Sequence, residues 1–149
     1  MLSLYRELRP NDLPLLSDKA SDRWSKVDET PRSQVIVVEY SGHVGATSML
    51  ALIANIASEG LPIGFIEHVA TAHARRRKGL GEACLRYAVQ TAWELGCSKV
   101  VLHSGAQKPD APGTYQTVGF DGDKERGFVI KMTCPLQTYQ SKVEVQVQG

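Results

Sequence analysis

The chain has 149 residues, of which 42% are hydrophobic and 22% charged, and its formal net charge is +1. This length suits one domain with a full hydrophobic core, and the near-neutral charge argues against a general nucleic-acid or membrane-surface binder. The three cysteines are an odd number without metal-ligand spacing, which predicts reduced thiols in the cytoplasm rather than disulfides or a metal site. No apolar run approaches a membrane span, and no signal peptide is expected.

The first part of the chain predicts helices followed by a hairpin. The first thirty residues look helical, in two pieces broken near Pro10 and Pro14. The β-branched run from Gln34 to Tyr40 predicts a strand, and Ser41-Gly42 is a tight-turn signal. His43 to about Ile56 is expected to return as the second, antiparallel strand.

A third strand and a long helix follow. Ile63 to Ala70 predicts a strand, and strict alternation divides its side chains between two faces. One face would carry Ile63, Phe65, Glu67 and Val69, and the other Ile66, His68 and Ala70. Apolar residues recur at helical spacing from Gly79 to Leu95, and Gly96 is placed for a left-handed cap. Lys99 to His103 is then a strand reached by a crossover helix, which should run parallel to the third strand.

The C-terminal part predicts three smaller elements. A short helix is expected around Thr114 to Val118, followed by a final hairpin from Phe120 to Met132 with its turn at Asp121–Glu125. Lys142 to Gln148 alternates strictly, which is typical of a half-buried strand, although an unstructured tail is the alternative. We divide the chain into a domain at 1–135 and an extension at 136–149.

The basic loop ahead of the long helix has the properties of a phosphate site. A helix N-terminus presents free N–H groups and the positive end of the helix dipole. We expect the amides from Arg77 to Glu82 to face phosphate oxygens, with Gly79 and Gly81 allowing a close approach of the backbone. Arg76, Arg77 and Lys78 would add positive charge. A solvated basic loop before an ordinary helix is the alternative.

A dinucleotide-binding loop is a further alternative for this segment. The pair Gly79-x-Gly81 lacks the third glycine of that motif, because Cys84 occupies its place. No acidic residue ends the following strand, and the preceding strand belongs to a mainly antiparallel run. The dinucleotide interpretation is therefore rejected.

Several short motifs, taken together and in order, resemble a known family. They are Ile66-Glu67-His68-Val69-Ala70-Thr71, Arg76-x-x-Gly79-x-Gly81, Gly96-Cys97-Ser98-Lys99-Val100 and Tyr115-Gln116-Thr117-Val118-Gly119-Phe120. Over residues 34–132 the chain resembles the GNAT superfamily of acyl-CoA-dependent N-acetyltransferases, with motifs similar to glucosamine-6-phosphate N-acetyltransferase-like members. The resemblance implies an α/β (α+β) fold: a mixed, mainly antiparallel sheet with splayed central parallel strands, flanked by helices. Relatives usually start with a strand, and the comparison with them implies that this first strand is missing here.

The resemblance also implies the ligands. Acetyl-CoA would be the acetyl donor, with its pyrophosphate on the loop amides and its pantetheine arm beside the third strand; no metal is expected. The implied cofactor-binding residues are Val69, Ala70, Thr71, Arg76, Arg77, Lys78, Gly79, Leu80, Gly81 and Glu82. The acetyl carbonyl would lie near the amide of Val69. The partners expected are a small amine substrate and a second copy in a homodimer.

Two residues carry the expected chemistry. Glu67 is the candidate base, acting through a water, although a structural carboxylate bonded to a neighbouring loop is the alternative. Tyr115 aligns with the family's tyrosine at the thioester sulfur and would donate to the thiolate, the alternative being a packing role. His68 is either a base or substrate contact or a core histidine, and His103 with Ser104 lies at the mouth of the site.

The predicted function is therefore acetyl transfer from acetyl-CoA to a primary amine of a small molecule. Attack would be direct, in a ternary complex, because neither Cys84 nor Cys97 is placed to act as a nucleophile. A non-catalytic acyl-CoA-binding or regulatory domain, which keeps the cofactor cleft but lacks the acceptor site, is the alternative.

Overall fold

The computed structural model describes residues 2–12, 17–104 and 111–131. The helices are α1 (Leu2–Leu8), α2 (Ser17–Asp28), α3 (Leu80–Glu94) and α4 (Ala111–Val118), and the strands are β1 (Ser33–Tyr40), β2 (His43–Ile53), β3 (Ile63–Thr71) and β4 (Lys99–Leu102). Short 3-10 turns occur at Ser58–Gly60 and His73–Arg75. The extension at 136–149, with its expected strand, lies outside the described residues. No helix in the described ranges has the length and apolar character needed to cross a bilayer.

The strands form one mixed sheet in the order β1-β2-β3-β4. The β1–β2 and β2–β3 pairs are antiparallel, and the β3–β4 pair is parallel, as the crossover through α3 predicts. The hairpin turn at Ser41 and Gly42 has positive φ at both residues, 52° and 73°, which matches the right-handed twist of the strands. In the described residues the sheet begins with β1, and helices flank it. The mixed sheet expected from the sequence is confirmed.

Strict alternation along β3 is broken by a bulge, which corrects the predicted faces. The pairing of β2 with β3 is irregular between Thr47 and Met49, and His68 has a φ of 54°. An extra residue in one strand shifts every later side chain to the opposite face. Val69 therefore packs against the core below α3, whereas Ala70 packs against Leu4 of α1.

The main core lies between α3 and the sheet. Four α3 residues are almost completely buried: Cys84, Leu85, Ala88 and Ala92. They pack against Ile36, Ala46, Leu50 and Ile66 from three strands. The helical spacing read from the sequence thus identifies the buried stripe of α3, and this packing fixes the helix N-terminus at one end of the sheet.

Helix α3 ends as the sequence predicts. Gly96 has a φ of 78°, its N–H donates to the carbonyl of Trp93 (3.0 Å), and the N–H of Cys97 donates to the carbonyl of Ala92 (3.0 Å). These two bonds are a Schellman motif, in which glycine is favoured because only it adopts positive φ without steric cost.

The predicted final hairpin does not form in the described residues, because positions 120–131 contain no strand. The turn is held by side chains instead: the Asp123 N–H donates to Asp121 Oδ1 (3.0 Å), and Glu125 pairs with Lys99 (2.7 Å). Phe128, Val129 and Ile130 remain exposed at 88%, 73% and 98%. An isolated hairpin whose apolar side chains find no covering surface is at best marginally stable, which accounts for the difference.

Candidate active site

The two central parallel strands separate in the middle of β3. Their pairing runs from Ile63 opposite Lys99 to Ile66 opposite Leu102, and β3 then continues alone to Thr71. Residues 67–71 therefore have no β4 partner in the described chain. Their backbone groups on that side are available to an extended ligand, as at the edge of a sheet. Val69, Ala70 and Thr71, predicted to contact the pantetheine arm, all lie in this section.

Unpaired amides follow this gap after the short 3-10 turn His73–Arg75. Within the described residues, no protein carbonyl accepts a hydrogen bond from the amides of Arg77 to Glu82, and the first α3 bond is donated by the Ala83 N–H to Gly79 (2.9 Å). Gly79, the N-cap residue, has a φ of 74° and provides no capping side chain. Arg77 also has positive φ, 59°. Left-handed residues in such turns are typical of anion-binding loops.

The two loop glycines have different surroundings, which adds a packing role for one of them to the role expected from the sequence. A Cβ on Gly81 would lie 2.6 Å from Thr71 Oγ1, so this glycine lets α3 approach β3. A Cβ on Gly79 would meet no atom within 4 Å, and that glycine is needed for its φ. Leu80 lies between them, and its side chain packs onto Gly45 of β2. The Leu80 amide is one of the unpaired amides from Arg77 to Glu82.

Two of the three predicted cations contact protein groups. Arg76 Nε donates to the carbonyl of Thr71 (3.4 Å), and Lys78 Nζ donates to the Tyr40 hydroxyl (3.4 Å). The same ammonium lies 4.6 Å from the centre of the Tyr40 ring, which is a cation–π contact. Tyr40 is missing from the sequence prediction because it reads only as the end of a strand. Only the register of the β1–β2 hairpin brings it to the loop.

The charge of Glu67 acts on the other candidate catalytic residue, Tyr115. Burial raises the pKa of the Tyr115 phenol above its usual 10.0, the Ser104 side chain lowers it, and the charge of Glu67 raises it further. The phenol is therefore a protonated donor at neutral pH. The Tyr115 ring packs edge-on against Phe120 at 6.4 Å between centres. Glu67 and Tyr115 are both half-buried, as a site open to a substrate requires.

Aromatic rings lie on both sides of Glu67 along β3. Phe65, two residues before it and on the same face, packs edge-on against His103 at 5.3 Å. His68, turned by the bulge, packs edge-on against Tyr5 of α1 at 5.7 Å. The imidazole of His68 is half-buried rather than enclosed in the core. Phe65 and Tyr5 do not figure in the sequence prediction, because their roles depend on contacts between distant elements.

An arginine joins the two helices of the site. Arg86 Nε donates to Glu82 Oε1 (2.9 Å), and Arg86 Nη2 donates to the carbonyl of Thr117 (2.9 Å). Thr117 follows Tyr115 by two residues in α4, and its carbonyl is in the last turn, where no helical N–H is available. The Glu82 amide is thus one of the unpaired amides from Arg77 to Glu82, and its carboxylate binds the arginine that joins α3 to α4. Within the described chain, no cluster of three His, Cys, Asp or Glu side chains could hold a metal ion.

Comparison with known proteins identifies the family. The model of the acetyltransferase (GNAT) family matches residues 1–120. A search of curated protein sequences gives no match. A solved structure from Agrobacterium tumefaciens str. C58, described as an acetyltransferase, is 32% identical with a TM-score of 0.83, covering 88% of this chain and 90% of that one.

Two more distant structures share the fold. Glucosamine-6-phosphate N-acetyltransferase from Arabidopsis thaliana is 18% identical with a TM-score of 0.73, covering 91% of this chain and 88% of that one. Aminoglycoside N-acetyltransferase AAC(6')-Iy, solved in complex with CoA, is 13% identical with a TM-score of 0.72, covering 89% of this chain and 86% of that one. The sheet, the divided strands and the family match lead to one conclusion: the chain belongs to the GNAT family of acetyltransferases.

Proposed function

We propose that this protein transfers an acetyl group from acetyl-CoA to a primary amine of a small molecule, by direct attack in a ternary complex. The observation that carries the proposal is the row of unpaired amides from Arg77 to Glu82, located just beyond the point where β3 leaves β4. A helix N-terminus with free N–H groups suits the diphosphate of coenzyme A. The gap beside residues 67–71 suits its extended pantetheine arm.

The donor-binding residues follow from this arrangement. The amides of Arg77, Lys78, Gly79, Leu80, Gly81 and Glu82 would hold the diphosphate, together with Arg76, whose side chain contacts the end of β3 at Thr71. Val69, Ala70 and Thr71 would pair with the pantetheine amides through their backbone. Gly81 contributes its amide and a close helix–strand approach, because its missing side chain makes room for Thr71.

Glu67 and Tyr115 divide the proton transfers. Acetylation forms a bond between the amine nitrogen and the acetyl carbon and breaks the bond between that carbon and sulfur. Glu67 would receive the ammonium proton through a water, which frees the nitrogen lone pair. The nitrogen releases its second proton to solvent once the amide forms. Tyr115 would donate its phenolic proton to the departing thiolate and be reprotonated from solvent.

Two measurements test this function. Calorimetry with acetyl-CoA and with CoA examines donor binding, and thiol release with a panel of amines examines transfer. Tyr115→Phe should lower turnover about a hundredfold, within the range for one acid–base group, and leave CoA affinity within twofold. Tyr87→Phe, at an exposed tyrosine of α3, is the matched control. Donor binding without thiol release for any amine would favour the non-catalytic alternative.

We also propose that the protein works as a homodimer. The exposed run Phe128-Val129-Ile130, directly after residues that contact β4 and His103, offers apolar surface that a second copy would cover. Sedimentation velocity tests this assembly. A monomer at tens of micromolar would contradict it, without bearing on acetyl transfer.

A further inference from the structure

Resting on the proposed function, we propose that the acceptor is a primary amine on an uncharged, aromatic-bearing body, and not an amine that carries a phosphate. The basis is the position of Glu67 in β3, where aromatic side chains precede and follow it along the strand and contact rings from α1 and from the end of β4. This choice departs from the aminosugar phosphate that the motif resemblance alone would suggest.

The first pair of rings lies before Glu67 along β3. Phe65 and Glu67 are two residues apart ahead of the bulge, so their side chains share a face of the sheet. Phe65 is half-buried, and its ring packs edge-on against the exposed imidazole of His103 at 5.3 Å. The backbone of Gly127 lies on the other side of that imidazole, since a Cβ there would be 2.6 Å from His103 Nε2. This contact keeps the imidazole beside Phe65.

The second pair of rings lies after Glu67. His68 has a left-handed φ of 54°, which is uncommon outside glycine but most often adopted by asparagine, aspartate and histidine, and its imidazole lies 5.7 Å from the Tyr5 ring. Burial raises the pKa of the Tyr5 phenol, and the side chain of the completely buried Thr47, near its hydroxyl, lowers that pKa in part. Thr47 pairs with Ala70 in the sheet, which places Tyr5 over the residues next to the bulge.

The remaining ring is that of Tyr115, from α4. Its phenol responds to the charge of Glu67 and to the Ser104 side chain. None of the ion pairs formed within the described ranges involves Glu67. Lys99 pairs with Glu125 and Arg86 with Glu82 instead. Glu67 therefore adds negative charge to a largely aromatic surface.

A carboxylate beside aromatic rings favours acceptors of a particular charge and shape. An ammonium gains from the carboxylate and from the faces of aromatic rings, while an apolar ring attached to it can pack edge-on among them. A phosphate on the same acceptor would be repelled by Glu67 and would lose its hydration against apolar surface. One edge-to-face or cation–π contact is worth about 0.5 to 1.5 kcal/mol, which corresponds to roughly a two- to tenfold change in affinity.

The test compares acceptors that differ in one feature. Tyramine and tyramine O-phosphate have the same skeleton and differ by the phosphate; glucosamine and glucosamine 6-phosphate are a second pair. We expect kcat/KM for tyramine to exceed that of its phosphate ester and that of glucosamine 6-phosphate by at least tenfold. A preference for either phosphorylated amine would overturn this inference and leave acetyl transfer established.

A variant identifies the rings responsible. Phe65→Leu should raise KM for tyramine about fivefold and leave KM for acetyl-CoA within twofold, whereas Tyr87→Leu, at an exposed ring of α3, should change neither. Tyramine binding to the CoA-loaded protein, measured by calorimetry, needs no turnover. Binding without acetylation would support the acceptor class while contradicting the proposed transfer. The absence of both binding and acetylation for tyramine would overturn the inference.

Discussion

Gly81 at the start of α3 lies against Thr71 at the end of β3 so closely that a Cβ on the glycine would be 2.6 Å from Thr71 Oγ1. Real side chains do not approach this closely, so the Thr71 side chain, the helix or the strand would have to move. The contact sets the distance between the unpaired amides and the open section of β3. The amides proposed to bind the diphosphate can thus lie close to the section of β3 proposed to bind the pantetheine arm, because residue 81 has no side chain.

Gly81→Ala should therefore destabilise the fold by about 1 to 3 kcal/mol, as overpacking does, and weaken CoA binding with it. Urea unfolding gives the stability and calorimetry the affinity. Thr71→Ala in the same chain removes Oγ1 and leaves the Thr71 Cβ at 3.9 Å as the nearest atom, so the double variant should recover most of the loss. Additive effects would show that this contact is not the cause.

Gly79→Ala is a control with a different mechanism. Its Cβ would meet no atom within 4 Å, but the φ of 74° disfavours alanine by about 1 kcal/mol or more. Thr71→Ala should give no recovery in this background. Recovery there would indicate a general loosening of the loop.

Arg86 is expected to position Tyr115 without touching the substrate. Arg86→Lys keeps the charge near Glu82 but cannot reach Thr117 with a second donor in the same geometry. We expect kcat to fall about three- to tenfold, with KM for acetyl-CoA within twofold. Both side chains are partly exposed, so stability should change by less than about 1 kcal/mol.

Lys26→Gln is the matched control, because it removes an ion pair with Asp22 on α2. Its kcat should equal that of the unaltered protein. An equal loss in both variants would show that surface charge, not the helix link, governs turnover.

The pH dependence of turnover should report on Tyr115. Burial and the charge of Glu67 raise its pKa above 10.0, so the proton available to the thiolate is retained up to that pH. The alkaline decline of kcat should begin only above pH 10. The Ser104 side chain lowers this pKa, so Ser104→Ala should move the decline to higher pH. A decline near pH 8 that persists in Tyr115→Phe would assign it to another group.

The stability of the fold should also depend on pH through Cys84. Burial raises the pKa of this thiol above 9.0, while Ser48, 3.2 Å from its sulfur, lowers it in part. The folded state thus holds the proton more tightly than the unfolded chain. This contribution is complete below pH 9 and is lost as pH rises through the folded pKa.

Cys84→Ala should therefore give a shallower fall in the free energy of unfolding between pH 9 and 10 than the unaltered protein. Burial raises the pKa of Cys97 as well, so Cys97→Ala provides a comparison for the second thiol. Urea unfolding at each pH measures both. Parallel curves for Cys84→Ala and the unaltered protein would contradict the assignment.

Local patterns in the sequence determine the order of elements from β1 to β4. The change from alternating to helical spacing, the turn at Ser41 and Gly42, and the cap at Gly96 each depend on neighbours in the chain. The parallel pairing of β3 and β4 follows because a crossover helix of this length allows little else. The loop with its free amides is also predictable from the sequence, because it depends only on neighbouring residues at the start of α3.

Tertiary structure alone decided the details of the candidate site. The bulge at His68 depends on the register of β2 against β3, so it reverses the faces of Val69 and Ala70 with no sign in the alternation. The role of Gly81 depends on Thr71, and the placement of Lys78 depends on Tyr40 across the hairpin. The approach of Tyr115 to Glu67 depends on α4 packing against the core. These contacts join residues far apart in the chain, which no local pattern encodes.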